Sequence, residues 1–231
     1  MWLRNARFQR LIGGGVLERI SIGTVATLEL LGLVGHKDPA IVRLIRQVRR
    51  ERRWLVTANE AFLVYSLARS TAKLSGSMAE VGVYQGGSAK MICEAKGETP
   101  LHLFDTFEGL PESSAADNHV HVPGQYACSL GSVRTYLSGY SNVHFHKGRF
   151  PDGTLPLANA RFSFVHFDVD LYQSTLDCLR FFYERMLPGG VMLSHDYSIL
   201  AGVRQAFAEF LADKAEELVE LPSTQCLVIK L

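Results

Sequence analysis

The chain offers little to chemistry that depends on sulfur, on bulk charge or on a membrane. Its four cysteines, Cys93, Cys128, Cys178 and Cys226, form no CxxC pair, so the common redox and zinc spacings are missing. They read as small buried hydrophobes of a reducing compartment. A net charge of +1 gives no global attraction to nucleic acid or to a membrane. No apolar run reaches the roughly 18–20 residues that a membrane helix needs. The early apolar stretch, residues 11–17, is broken at once by Glu18 and Arg19, too soon for a signal peptide, and a cytoplasmic protein is expected. Internal repeats and low-complexity tracts are absent. So is the GxGxxG fingerprint with which dinucleotide folds cradle a pyrophosphate.

What remains is ordinary globular material, 47% hydrophobic and 20% charged over 231 residues, enough for one large α/β domain with an appendage. The charge is uneven. Arg4, Arg7, Arg10 and Arg19 come early, followed by Arg43, Arg46, Arg49, Arg50, Arg52 and Arg53. That cluster is either a solvated helix face or a docking surface for an anionic partner. Residues 20–33 are largely apolar and suit a helix packed on the main domain or on a second subunit. A homo-oligomer, a dimer, is expected on that stretch alone. Pro39 to Arg53 carries Ile41, Leu44, Ile45 and Val48 at helical spacing with arginines opposite. Thr57 or Asn59 caps the next helix.

From Met78 onward strands and helices alternate. Strands are expected at 78–83, 101–105, 143–147, 162–168, 189–195, 217–221 and 225–230, with helices at 87–95, 129–139, 174–187 and 201–212. Ser129 caps the second of these helices, and Pro188-Gly189-Gly190 is expected to stop the third. Such alternation predicts a parallel sheet with helices on both faces. The last two strands, separated by Pro222-Ser223-Thr224, form an antiparallel hairpin. An α/β fold of this outline, seven strands mostly parallel with an antiparallel C-terminal hairpin, is the Rossmann-like class I methyltransferase fold. The long connection between Phe107 and Ser129 is either a lid or a disordered loop. It holds His119, His121 and Tyr126.

Two constellations carry chemistry. In the first, the run from Met78 to Ser88 ends a strand at Glu80 and Gly82 and opens a helix at Gly86-Gly87-Ser88. Glycines there let backbone approach a ligand, and Glu80 is positioned for a ligand ammonium. The next strand ends at Asp105, where a carboxylate can accept from a ribose diol. Tyr84, Thr106 and Phe107 flank the same edge. A tight turn with no ligand is the plain alternative. In the second constellation, one strand delivers Asp168 and Asp170 and its neighbour ends at His195-Asp196. Oxygen-rich groups of this kind suit Mg²⁺, which orients and activates a hydroxyl. His195 reads either as a general base or as a ligand that tilts preference towards Mn²⁺. Alternatively it is a core histidine, with Asp170 a helix cap. His166 reads as structural, and His144 and His146 as partly exposed sheet residues.

The runs AEVGVYQGGSAKMICEA, LHLFDTFEGLP, GRFPDGTLP, FVHFDVDLYQSTLDCL and LPGGVMLSHDY resemble the macrocin O-methyltransferase (TylF-type) family over roughly residues 57–231. That resemblance implies an S-adenosylmethionine (SAM)-dependent O-methyltransferase acting on sugar hydroxyls of natural products, often with Mg²⁺. It implies that Glu80, Gly82, Gly86, Gly87 and Ser88 form the SAM turn, that Asp105 binds ribose, and that Asp168 belongs to both the cofactor and metal sites. His195-Asp196 falls where better-known members carry two acids, so Asp196 is implied as a ligand and an obligatory Mg²⁺ is put in question. Residues 1–56 lie outside the motifs. By the same resemblance they form an N-terminal extension to a domain at 57–231, building the substrate pocket and the dimer. Two rival readings are a nucleotide-dependent oxidoreductase and a non-catalytic scaffold of the same fold.

Overall fold

The computed structural model describes residues 2–231. Ahead of the sheet come four helices: α1 (Ala6–Ile12), α2 (Val16–Val34), α3 (Pro39–Glu51) and α4 (Ala58–Thr71). The starts of α3 and α4 follow local rules. Asp38 accepts from Ala40 N–H with Pro39 in the first turn of α3, where the missing donor costs nothing. Thr57 and Glu60 form a reciprocal capping box on α4, satisfying two otherwise free donors.

Seven strands follow: β1 (Ser77–Val81), β2 (Leu101–Asp105), β3 (Val143–Lys147), β4 (Phe162–Phe167), β5 (Met186–Ser194), β6 (Leu218–Glu220) and β7 (Cys226–Ile229). They form one sheet in the order β3-β2-β1-β4-β5-β7-β6. β1 to β5 run parallel, and β7 inserts antiparallel between β5 and β6. Helices α5 (Gly87–Ala95), α6 (Leu130–Tyr136), α7 (Tyr172–Tyr183) and α8 (Ala201–Leu211) make the connections.

Both faces of the central strands are buried, and alternate residues sort to opposite sides. Met78, Leu103, Phe164 and Leu193 pack on one side with Leu30, Leu33, Val42, Ile45 and Val48 of α2 and α3. Ala79, Phe104, Val165 and Met192 pack on the other with Leu179, Phe182 and Phe207. The N-terminal helices therefore share a core with the sheet.

One expectation fails. The helix expected at 174–187, α7, ends at Tyr183, and Pro188-Gly189-Gly190 lies inside β5. The register against β4 jumps from Phe162↔Met186 to Phe164↔Val191. The glycines host a bulge: Gly189 has φ +78°, and a Cβ on Gly190 would lie 2.8 Å from the Leu187 carbonyl oxygen.

At the β2–β3 edge, His102 is buried beside His146 (Nδ1 to Nε2, 3.1 Å) and stacks on His144 at 5.0 Å. Burial, and then the charge of either neighbouring histidine, pulls the His102 pKa down to about 4. Folding therefore disfavours its proton. The stability it allows is full above the unfolded pKa of about 6.5 and is lost as pH falls towards 4. His102→Phe, next to Phe162, is expected to gain on the parent by on the order of 1 kcal/mol between pH 7 and pH 4. Denaturant unfolding at both pH values measures this; a pH-independent difference contradicts it.

Candidate active site

The carboxyl ends of β1, β2, β4 and β5 open on one cavity of about 530 Å³. Each of these ends is followed by a non-glycine residue in the left-handed region: Tyr84 (φ 49°), Phe107 (φ 56°), Asp170 (φ 58°) and Asp196 (φ 56°). Such conformations cost on the order of 1–3 kcal/mol each and cluster where a site over-determines the backbone.

The β1 turn is built around Asp105. Its Oδ2 accepts from Val83 N–H (2.7 Å) and Tyr84 N–H (2.9 Å), and its Oδ1 from Phe107 N–H (2.6 Å). A carboxylate has about four lone-pair positions, so one stays free for a hydroxyl of a ligand. Gly82, at φ +83°, has no room for a side chain: a Cβ would stand 2.0 Å from the Asp168 carbonyl oxygen. Gly87 opens α5 over the Trp54 ring, which its Cβ would meet at 2.7 Å.

Gly82, Tyr84, Gly87, Ser88, Asp105 and Thr106 line the cavity, as do Asp168, Asp170, His195 and Asp196. Three expected cofactor residues sit elsewhere. Glu80 is fully buried beneath the turn, with Oε1 2.9 Å from His166 Nδ1; burial raises its pKa although His166 opposes this. Phe107 is buried in the core. Gly86 caps α5 in the left-handed region with its Cβ position against Val133 and Tyr136. His166 is the structural partner that the sequence suggested.

The second constellation converges on His195, which is buried. Its Nδ1 lies 3.1 Å from Asp196 Oδ2 and 3.4 Å from Asp168 Oδ1, and its Nε2 lies 3.2 Å from Glu60 Oε2. These are ion-pair contacts, not aligned hydrogen bonds, since neither ring N–H points straight at an oxygen. Burial works against the imidazolium, but Asp196, Asp168 and Glu60 outweigh it and raise the pKa well above the usual value. A general-base role for His195 requires that this proton leave first. Burial raises the carboxyl pKa of Asp168 and Glu60, but His195 outweighs it and holds both low. Asp170 goes the other way, raised well above the carboxylate range by burial and by Asp168 and Asp196.

The same atoms suit a divalent cation. Among the described residues, Asp168, His195 and Asp196 present ligand atoms within 4.8 Å of one another. Adjacent ligands of an octahedral ion with bonds of about 2.1 Å stand roughly 3 Å apart, close to the 3.1 and 3.4 Å seen at Nδ1. A ligating histidine usually gives its other ring nitrogen to a carboxylate, and Glu60 stands there. Glu60 also accepts from Thr57 and Thr224. Sequence reading missed this role of Glu60; the Thr57–Glu60 capping-box spacing is visible in the chain, but its contact with His195, just past the end of β5, is not.

The cavity is roofed by the N-terminal helices and the long loop. Tyr126 O–H donates to Glu18 Oε1 at 3.0 Å. Burial raises the pKa of both groups. Asp117 Oδ1 accepts from Tyr172 N–H at 2.6 Å, and Leu110 N–H and Gly124 N–H close the loop neck on Gln125 and Leu110 carbonyls. The loop is thus an ordered cover, as the lid reading requires.

Comparison with known proteins came down on one family. The macrocin-O-methyltransferase (TylF) family profile matches residues 67–222. An 8-demethyl-8-(2,3-dimethoxy-alpha-L-rhamnosyl)-tetracenomycin-C 4'-O-methyltransferase of Streptomyces olivaceus is 36% identical over 141 residues, covering 54% of each chain. A mycinamicin III 3''-O-methyltransferase of Micromonospora griseorubida is 31% identical over 168 residues, covering 63% of this chain and 65% of its own. The matches thus span between about half and two thirds of the length of these relatives. In structure, the O-methyltransferase NovP superposes with a TM-score of 0.67 at 25% identity, covering 77% of this chain and 81% of its own.

Glu60→Ala removes the counter-charge of His195 and the acceptor of Thr57 and Thr224. It is expected to cost about 3–5 kcal/mol, the range for breaking a buried ion pair. Urea unfolding of parent and variant at pH 7.5 reads this out; a loss below about 1 kcal/mol would mean that Glu60 does not hold the cluster.

Proposed function

The chain belongs to the macrocin-O-methyltransferase (TylF) family, and from that premise we propose that it transfers a methyl group from SAM to a hydroxyl of a glycosylated small molecule. The observation that carries this is the sharing of one cavity by the glycine turn and the acid cluster. Gly82, Tyr84, Gly87, Ser88, Asp105 and Thr106 hold the cofactor, with the last free lone pair of Asp105 on its ribose. SAM, when bound, supplies an electrophilic methyl on a good leaving group, which leaves the protein positioning and proton removal to perform. Asp168, His195 Nδ1 and Asp196 hold a divalent cation, whose chemistry is to lower the pKa of a hydroxyl. Asp170, the carboxyl group outside the His195 ion pairs, takes the acceptor proton when ionised, with His195 as the alternative base. The roof formed by Glu18, Tyr126 and the loop excludes water.

The acceptor reading rests on relatives whose names specify glycosylated substrates and on the far wall of the cavity. There Phe8, Ile12, Ile22 and Val25 stand beside Gln9, Glu18 and Ser21. Apolar side chains suit an aglycone, and the polar ones suit sugar hydroxyls.

Calorimetric titration with S-adenosylhomocysteine, followed by turnover on a panel of glycosides, tests the assignment. Asp105→Ala is expected to weaken cofactor binding at least tenfold by loosening the turn. Asp168→Ala is expected to keep binding within about threefold and to lower turnover by about 10²–10⁴. Parent-like behaviour of both variants contradicts the site, and tighter binding of NADH than of S-adenosylhomocysteine would favour the oxidoreductase reading.

Metal identity has a separate expectation. An imidazole donor favours Mn²⁺ over Mg²⁺. After chelator treatment, Mn²⁺ should raise the melting temperature at lower concentration than Mg²⁺, and His195→Ala should erase the difference. Absence of any shift with either ion contradicts the metal assignment.

A further inference from the structure

The part of the cofactor still without a partner is its amino-acid end. Asp105 serves the ribose and the acid cluster faces the reacting methyl, while Glu80, expected at the ligand ammonium, is buried beneath the turn. The α-carboxylate is the one anionic group of SAM, and an ionised carboxylate accepts hydrogen bonds without donating any. A pocket for it should therefore offer donors in surplus.

Such a surplus exists where Arg53 and Trp54 meet the β1 turn. Arg53 lines the cavity and, among the described residues, enters no ion pair. Its guanidinium makes one hydrogen bond, from Nη2 to the Gly14 carbonyl at 3.3 Å, and its Nε is buried without a partner. A guanidinium carries several N–H donors in a fixed fork that matches a carboxylate, so most of this fork is unspent. Glu18 is close enough for Arg53 to favour its charge, but its oxygens accept from Tyr126 O–H and Gly14 N–H, at 3.0 and 3.1 Å.

Two further donors join it. Trp54 is 8% exposed, and its indole N–H is buried with no acceptor; the ring lies against Gly87. Helix α5 opens there on Gly86 with no side chain capping its first N–H groups, and the start of a helix favours negative charge. Gly87 and Ser88 line the same cavity as Arg53 and Trp54.

Position agrees with charge. Arg53 N–H donates to Gln85 Oε1 at 2.9 Å, which fastens residue 53 to the turn from Gly82 to Ser88. The Arg53 charge also acts on the Tyr84 hydroxyl of that turn. An anion carried by the acceptor fits less well, because these donors border the cofactor turn and not the far wall of Phe8, Ile12, Ile22 and Val25.

We propose that Arg53 binds the α-carboxylate of SAM, with Trp54 Nε1 and the first turn of α5 completing the pocket. This assignment rests on the methyltransferase reading and adds a residue to it. With the carboxylate fixed at one end and the ribose on Asp105 at the other, the sulfonium between them has a set place, so Arg53 serves the reaction by positioning.

Calorimetric titration tests this. The probes are S-adenosylhomocysteine and its decarboxylated form, which keeps the adenosine, the sulfur and the amine. The parent should bind S-adenosylhomocysteine more tightly by about 10- to 100-fold, the worth of a charge-assisted hydrogen bond. Arg53→Gln should lose that preference. Its affinity for S-adenosylhomocysteine should fall by the same factor, while affinity for the decarboxylated compound stays within about twofold, which also shows that the variant is folded. Equal loss of both compounds would give Arg53 a structural task, and parent-like binding of both would leave the carboxylate to other groups; either result overturns the proposal. So does a parent that binds both compounds equally. A parent that binds neither would overturn the methyltransferase reading, and this proposal with it.

Discussion

The site depends on a missing side chain. Gly82 lies so close to the Asp168 carbonyl oxygen that a Cβ would stand 2.0 Å away. Only there can the backbone leaving β1 run against the backbone leaving β4. Asp168 N–H bonds back to the Val81 carbonyl and Gly82 N–H to that of Phe104, both at 2.9 Å. These contacts tie three strand ends together. The carboxyl ends of parallel strands are where open α/β sheets bind ligands, and this packing brings a cofactor turn and an acid cluster within one cavity.

Charge decides what the second half of that cavity requires. Glu60, Asp168 and Asp196 crowd one buried imidazole. Buried carboxylates of like sign need a cation between them. In the protein alone, the proton on His195 supplies it. On the proposed reading, with Nδ1 free of that proton, a divalent ion would take the same position and Glu60 would keep the ring oriented through Nε2. Proton and metal would then compete for one nitrogen, and the site would be more sensitive to acid than an all-carboxylate one. Asp170 stands outside the ion pairs and keeps a raised pKa.

Much of this was readable from the chain. Alternation of strand and helix from Met78 onward gave the sheet, since apolar runs ending in Gly82, Asp105, Asp168 and His195 mark the strand ends. Thr57 was one of two candidate caps for the start of α4, with Asn59 the other, and the structure selects Thr57. The failures have local causes. Pro188-Gly189-Gly190 resembles a helix stop, yet the same residues accommodate a strand bulge, and only pairing with β4 decides. Glu80 lies beneath the turn and not on the cavity; both faces of a central parallel strand are buried, so the face on which a carboxylate falls has no sequence signature. The contact of Glu60 with His195 joins residues far apart in the chain. Asp105 was read as a ligand group, and its larger task is to organise the backbone that surrounds the ligand.

The account stands or falls on the shared cavity. A crystal structure of the chain with S-adenosylhomocysteine and Mn²⁺ tests this most directly. The account predicts adenosine against the turn from Gly82 to Ser88, the ion on Asp168, His195 and Asp196, and the homocysteine sulfur facing Asp170. Cofactor bound outside that turn, or an ion held by other residues, would contradict it.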